Sequence, residues 1–105
     1  MTSISTHVLD SVAGRPADGV AVSLTGPNGP IDHTVTDADG RIRFESVVGP
    51  GTHVLTYAVG PWADLIGRAT LFPEIVLTFE VAPGESHYHL AVLFAGHSYT
   101  AYRGS

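Results

Sequence analysis

The stretch "HYHLAVLF", His87–Phe94, decides the fold. Alternate residues of a strand point to opposite sides. One side reads Tyr88, Leu90, Val92 and Phe94, and the other reads His89, Ala91 and Leu93. Both are largely apolar. A sandwich strand gives only one side to the core, so the second needs another cover, most simply a copy of the same chain. His89 would then lie in that interface.

Outward from this strand, twelve glycines and seven prolines fall in clusters such as "AGRPADG", "TGPNGP", "DADGR", "VGPG" and "APGES". The segments between them are short and rich in Val, Leu, Ile, Thr, Phe and Tyr, an all-β spacing. Strands are expected at Ile4–Ser11, Val20–Thr25, Ile31–Thr36, Arg41–Phe44, His53–Val59, Glu74–Val81, Tyr88–Ala95 and Ser98–Arg103. One segment, Pro61–Thr70, departs from the pattern. Its early proline and the helical spacing of Trp62, Leu65 and Ile66 predict a short helix, an exposed excursion between two strands. The expected fold is an eight-stranded all-β sandwich with one short helix, in one domain spanning residues 1–105.

A hydrophobic share of 44% with 14% charged residues predicts a packed globule. Five arginines, no lysine and ten acidic residues give a formal charge of -5. That balance offers no footprint for nucleic acid or an anionic membrane. With no cysteine, disulfides, thiolate nucleophiles and Cys-type zinc sites are excluded. The start "MTSISTHVLD" lacks a basic n-region and an apolar h-region, and no apolar run reaches membrane-spanning length. A cytoplasmic protein is expected.

Side-chain parity groups the candidate site residues. Ser5, His7 and Leu9 share one face of the first strand, and Thr100, Tyr102 and Gly104 share one face of the last. Of six histidines, His33, His53 and His97 fall in turn or edge segments and read as solvated or capping. His87 and His89 place two imidazoles on one strand face. With His7 they could supply three zinc ligands, yet no H-E-x-x-H or paired-cysteine motif accompanies them. "TDADGR", Thr36–Arg41, puts Arg41 just after a tight Asp-Gly turn, where a guanidinium could hold a planar anion or a developing oxyanion. There is no nucleophile elbow, phosphate loop or catalytic carboxylate pair, so any chemistry rests on His and Arg.

The segments "STHVLDSVAGRPADGVAVSL", "TDADGRI", "LFPEIVLTF", "HYHLAVL" and the closing "YRGS" closely resemble the transthyretin-related 5-hydroxyisourate hydrolases, in order from residue 5 onward. The resemblance implies a transthyretin-like sandwich that pairs edge to edge into dimers. Two dimers then stack into a homotetramer with sites in the channel between them. It implies hydrolysis of a cyclic amide of 5-hydroxyisourate without metal or cofactor. The family's catalytic residues fall on His7, Arg41 and His89. Its terminal motif falls on Tyr102, Arg103, Gly104 and Ser105, and its channel walls include Leu9, Ala91, Leu93 and Thr100. Within the motif Arg103 alternates to the other side and is expected to anchor an acid, while Ser105 ends the pocket wall. Ala91 stands where the family has proline, His97 for an aromatic residue, Thr100 for serine, Ala101 for threonine and Leu71 for the first phenylalanine of "FFPE". These departures leave a second reading, a transthyretin-like paralogue that hydrolyses or binds a different small heterocycle.

Overall fold

Short β-branched and aromatic runs separated by glycine and proline have nowhere to bury an apolar side except against another such run, which yields two stacked sheets. The computed structural model describes residues Met1–Ser105. Its elements in order are β1 (Ser3–Asp10), β2 (Arg15–Pro16), β3 (Ala21–Gly26), β4 (Gly29–Val35), β5 (Arg41–Arg43), β6 (Gly51–Tyr57), α1 (Val59–Leu65), β7 (Ile75–Val81), β8 (His87–Phe94) and β9 (Tyr99–Gly104). One sheet runs β2-β1-β8-β9 with β5 also paired to β1, and the other runs β4-β3-β6-β7. The β1–β8 pair is parallel, while the other strand pairs are antiparallel.

Between the sheets lie Ile4 and Val8 of β1, Val22 and Leu24 of β3, Leu55 and Tyr57 of β6, and Leu90, Val92 and Phe94 of β8. Burying each such side chain contributes roughly 1.5–3 kcal/mol. One polar link crosses the core. Thr6 Oγ1 donates to Leu90 O at 2.7 Å and meets Tyr57 Oη at 2.8 Å. Burial, only partly offset by that hydrogen bond, pushes the Tyr57 phenol up to about 12.

All eight expected strands form, with shifted ends, and β2 is a ninth. Its two residues lie inside "AGRPADG", which reads as a turn cluster but pairs Leu9 with Pro16 and Asp10 with Arg15. The helix starts earlier than expected and stops at Leu65. The Gly67 N–H bonds to Asp64 O and the Arg68 N–H to Ala63 O, closing a Schellman motif. Nor is it an exposed excursion: Val59, Gly60, Trp62 and Ala63 are buried, and Trp62 Nε1 donates to Asp18 O at 2.9 Å. His53 also differs from expectation. It is 1% exposed, tilted against Phe79, with Nδ1 2.9 Å from Gly51 O. His33 and His97 are exposed as expected. No helix is long and apolar enough to cross a membrane.

Candidate active site

The site lies on the outward side of the β2-β1-β8-β9 sheet, and strand register assembles it. The parallel pairing sets Ser5 beside His89, His7 beside Ala91 and Leu9 beside Leu93. Strand β9 extends those rows with Gly104, Tyr102 and Thr100, and β5 adds Arg43 opposite Ser5 and Arg41 opposite His7. Two adjacent rows result, Arg41-His7-Ala91-Tyr102 and Arg43-Ser5-His89-Gly104. A third, Leu9-Leu93-Thr100, is mostly apolar.

Arg41 is held by the turn before it. One carboxylate oxygen of Asp37 accepts the backbone N–H groups of Asp39 and Arg41, each at 2.9 Å. Gly40 has φ +73°, and a side chain there would collide with Val8 O, so the turn can lie against β1 only with glycine at this position. The Val8 N–H donates to Gly40 O at 2.8 Å and locks the two together.

The His7 and His89 rings lie 6.5 Å apart at 43°. Ser5 Oγ is 2.7 Å from His89 Nδ1 and 2.8 Å from His87 Nε2. His7 Nε2 is buried with no hydrogen-bond partner, an arrangement costing about 1–3 kcal/mol unless another molecule supplies one. Burial lowers the His89 pKa, and the charges of Arg41, His7 and His87 lower it further. Its neutral imidazole is favoured. Neither Arg41 nor Arg43 has a carboxylate partner. A cleft of about 330 Å³ opens here, lined by Ser5, Asp37, Arg41, Ile42, Arg43 and His89 among others.

Tyr102 projects from the same face and is 53% exposed. Leu9 is half-buried there, and Thr100 is exposed. Gly104 touches the His89 ring so closely that an added Cβ would come within 2.6 Å of Cδ2. Ser105 is exposed. Arg103 does not join the cluster. Parity turns it the other way, where its guanidinium lies 4.1 Å from the Tyr88 ring and 3.6 Å from Glu85. His7, His87 and His89 do not converge as a metal-ligand set. The sequence reading left out Ser5, Arg43 and Asp37 as site residues. Parity with His7 marks Ser5, and two-residue spacing from Arg41 marks Arg43.

The HIUase/Transthyretin family model matches residues 4–104. A 5-hydroxyisourate hydrolase of Salmonella typhimurium is 35% identical over 109 residues, covering 97% of this chain and 80% of the relative. The structure of Klebsiella pneumoniae 5-hydroxyisourate hydrolase superposes with a TM-score of 0.92 at 37% identity, covering both chains fully. Sea bream transthyretin in complex with thyroxine superposes with a TM-score of 0.85 at 26% identity, covering 96% of this chain and 93% of that one. The chain belongs to the HIUase/Transthyretin family.

Proposed function

We propose that this protein is a cytoplasmic hydrolase that opens the cyclic amide of 5-hydroxyisourate, giving 2-oxo-4-hydroxy-4-carboxy-5-ureidoimidazoline. The observation that carries this reading is the gathering of His7, His89 and Arg41 on an outward sheet face, where core packing needs none of them. Relatives named 5-hydroxyisourate hydrolase at 35% and 37% identity support it.

The chemistry needs three things from the chain. A water must lose a proton, and the imidazoles of His7 and His89 are suited to take it. The amide carbonyl oxygen becomes an oxyanion as hydroxide adds, and the Arg41 N–H donors hold it, an interaction worth about 2.7–4 kcal/mol in comparable sites. The C–N bond then breaks, and the proton first taken from water returns to the departing ring nitrogen. Two unpaired arginines in a chain of net charge -5 concentrate positive potential where an anionic ring would dock. In the proposed assembly Leu9, Thr100, Tyr102 and Gly104 would wall the substrate pocket on the rows beside this cleft, with Ser105 next to them. The reaction as written uses no metal or cofactor.

The outward Leu9 and Leu93, together with the buried and partnerless His7 Nε2, support a second copy covering this face. The assembly proposed is a homotetramer, a dimer of dimers with sites at the dimer–dimer interface. The test is the ultraviolet decay of freshly generated 5-hydroxyisourate. Acceleration over the spontaneous rate by the tetrameric protein is expected. No acceleration by a tetramer would refute the assignment and leave the reading of a paralogue acting on another heterocycle.

A further inference from the structure

A continuous hydrogen-bonded file runs along the outward face from the edge of β1 to the cleft. Ser3 Oγ lies 2.5 Å from His87 Nδ1, His87 Nε2 lies 2.8 Å from Ser5 Oγ, and Ser5 Oγ lies 2.7 Å from His89 Nδ1. Each serine hydroxyl has one proton to give, and each neutral imidazole has one N–H and one lone pair. If the outermost bond runs from His87 to Ser3, each later bond is fixed, because a bare imidazole nitrogen takes the one serine proton and that serine must then accept.

The outer end permits one direction, and the cleft end selects it. Ser3 Oγ also lies 3.3 Å from Ser86 O, and a carbonyl can only accept. Ser86 O gives the Ser3 proton an acceptor other than His87, which lets Ser3 Oγ accept from the His87 Nδ1–H. His87 Nε2 is then bare and accepts the Ser5 Oγ–H, and Ser5 Oγ in turn accepts the His89 Nδ1–H. His89 Nε2 is left with a lone pair. The cleft end agrees: His89 shares its cleft with the Arg41 guanidinium, and a cation favours a lone pair over an N–H facing it. Burial and the charges of Arg43 and Arg103 lower the His87 pKa, which keeps its ring neutral, as the file requires. Besides Arg41, His7 and His87, the cleft around His89 holds Arg43 and Asp37, and one oxygen of Asp37 is engaged by the backbone N–H groups of Asp39 and Arg41.

We propose that Ser3, His87 and Ser5 are positioning residues that fix the His89 tautomer with Nε2 bare, making His89 the base that takes the proton from water. This deepens, and rests on, the ring-opening reading above. In the step itself a water proton moves to Nε2 while hydroxide adds to the carbonyl carbon. Ser5 Oγ accepts from Nδ1–H and steadies the imidazolium. The Nε2 proton then passes to the ring nitrogen as the C–N bond breaks, so protons balance on His89 alone.

Long-range ¹H–¹⁵N correlation spectra of the wild-type protein, recorded where His89 is neutral, read the tautomers directly and without substrate. Both His87 and His89 are expected as Nδ1–H forms. A His89 Nε2–H form would overturn the proposal. Ser5→Ala should give mixed His89 tautomers and lower kcat on 5-hydroxyisourate about tenfold or more with KM nearly unchanged, since the imidazole loses the group that orients it. Ser5→Thr, which keeps the hydroxyl, should restore both. A Ser5→Ala protein with an unchanged tautomer and unchanged kcat would also overturn it. If wild-type protein failed to turn over 5-hydroxyisourate, the substrate assignment would fall, while the spectra would still decide the file.

Discussion

On the β4-β3-β6-β7 sheet the outward positions of β3, β6 and β7 include Ser23, Thr25, Thr56, Thr78 and Glu80, with Val54 and Val76 among them. On the other sheet they are Ser5, His7, Arg41, Arg43, His89, Leu93 and Tyr102. Both faces share the pleat and period of a half-buried sheet, but they differ in what they leave unsatisfied. Short hydroxyl side chains are content with water or with each other's neighbours, as Thr52 Oγ1 is with Glu80 at 2.8 Å. The second face instead holds a buried imidazole nitrogen with no partner and two arginines without acids. A fold gains nothing from such an arrangement. The difference teaches that a face whose residues serve neither core nor solvent marks where another molecule belongs.

Substitutions on the two faces should separate them. Arg41→Gln or His7→Asn is expected to lower kcat/KM for 5-hydroxyisourate by about 10²–10³. Thr78→Ala, on the opposite face, should leave it within about twofold. Equal losses from the two faces, read by ultraviolet decay, would erase the comparison. Gly104→Ala comes next. The added methyl group must displace the His89 ring, so kcat should fall about tenfold, while the thermal unfolding midpoint moves little because Gly104 lies on an edge strand. A normal rate would show that the contact is yielding.

Self-association gives a third contrast. Leu93→Glu puts a charge in the face proposed to be covered and should dissociate the assembly in sedimentation velocity, whereas Thr78→Glu should leave it intact. The smallest effect is in titration. The His89 midpoint, followed by NMR, should lie below the ordinary 6.5, and Arg41→Gln should raise it toward that value by removing a nearby cation. Because the unfolded chain binds this proton more readily, the stability contributed by neutral His89 is present above pH 6.5. It is lost as pH falls through the lowered folded value.

Much of this face was legible in the sequence because strand parity is local. The alternation in His87–Phe94 and Ser5–Leu9 assigned each residue to a side without knowledge of the partner strand. Register is not local. That Ser5 rather than His7 stands beside His89 depends on the parallel β1–β8 pairing across more than eighty residues of chain, and so parity put the serine on the right face without giving it a role. His53 was misread for the same reason. Its "GPGTH" flank looks like an edge, but Phe79 and Gly26, distant in sequence, close over the ring. The partner of Asp10 was equally hidden. Burial works to raise that carboxyl's pKa, yet Arg68, fifty-eight residues away and 2.6 Å distant, outweighs it together with the N–H groups of Val12 and Ala13, and the net shift is downward. The helix was found by its proline and tryptophan, but its burial came from docking on Asp18, which spacing alone does not encode.

The contrast between the two faces can be mapped in one experiment. Urate, a stable planar anion that carries the ring system without the reactive centre, is titrated into ¹⁵N-labelled protein, and backbone and imidazole shifts are followed. Perturbations centred on Ser5, His7, Arg41, His89 and Tyr102 are predicted. Shifts centred on Ser23, Thr56 and Thr78, or spread evenly over both sheets, would contradict the assignment of the site.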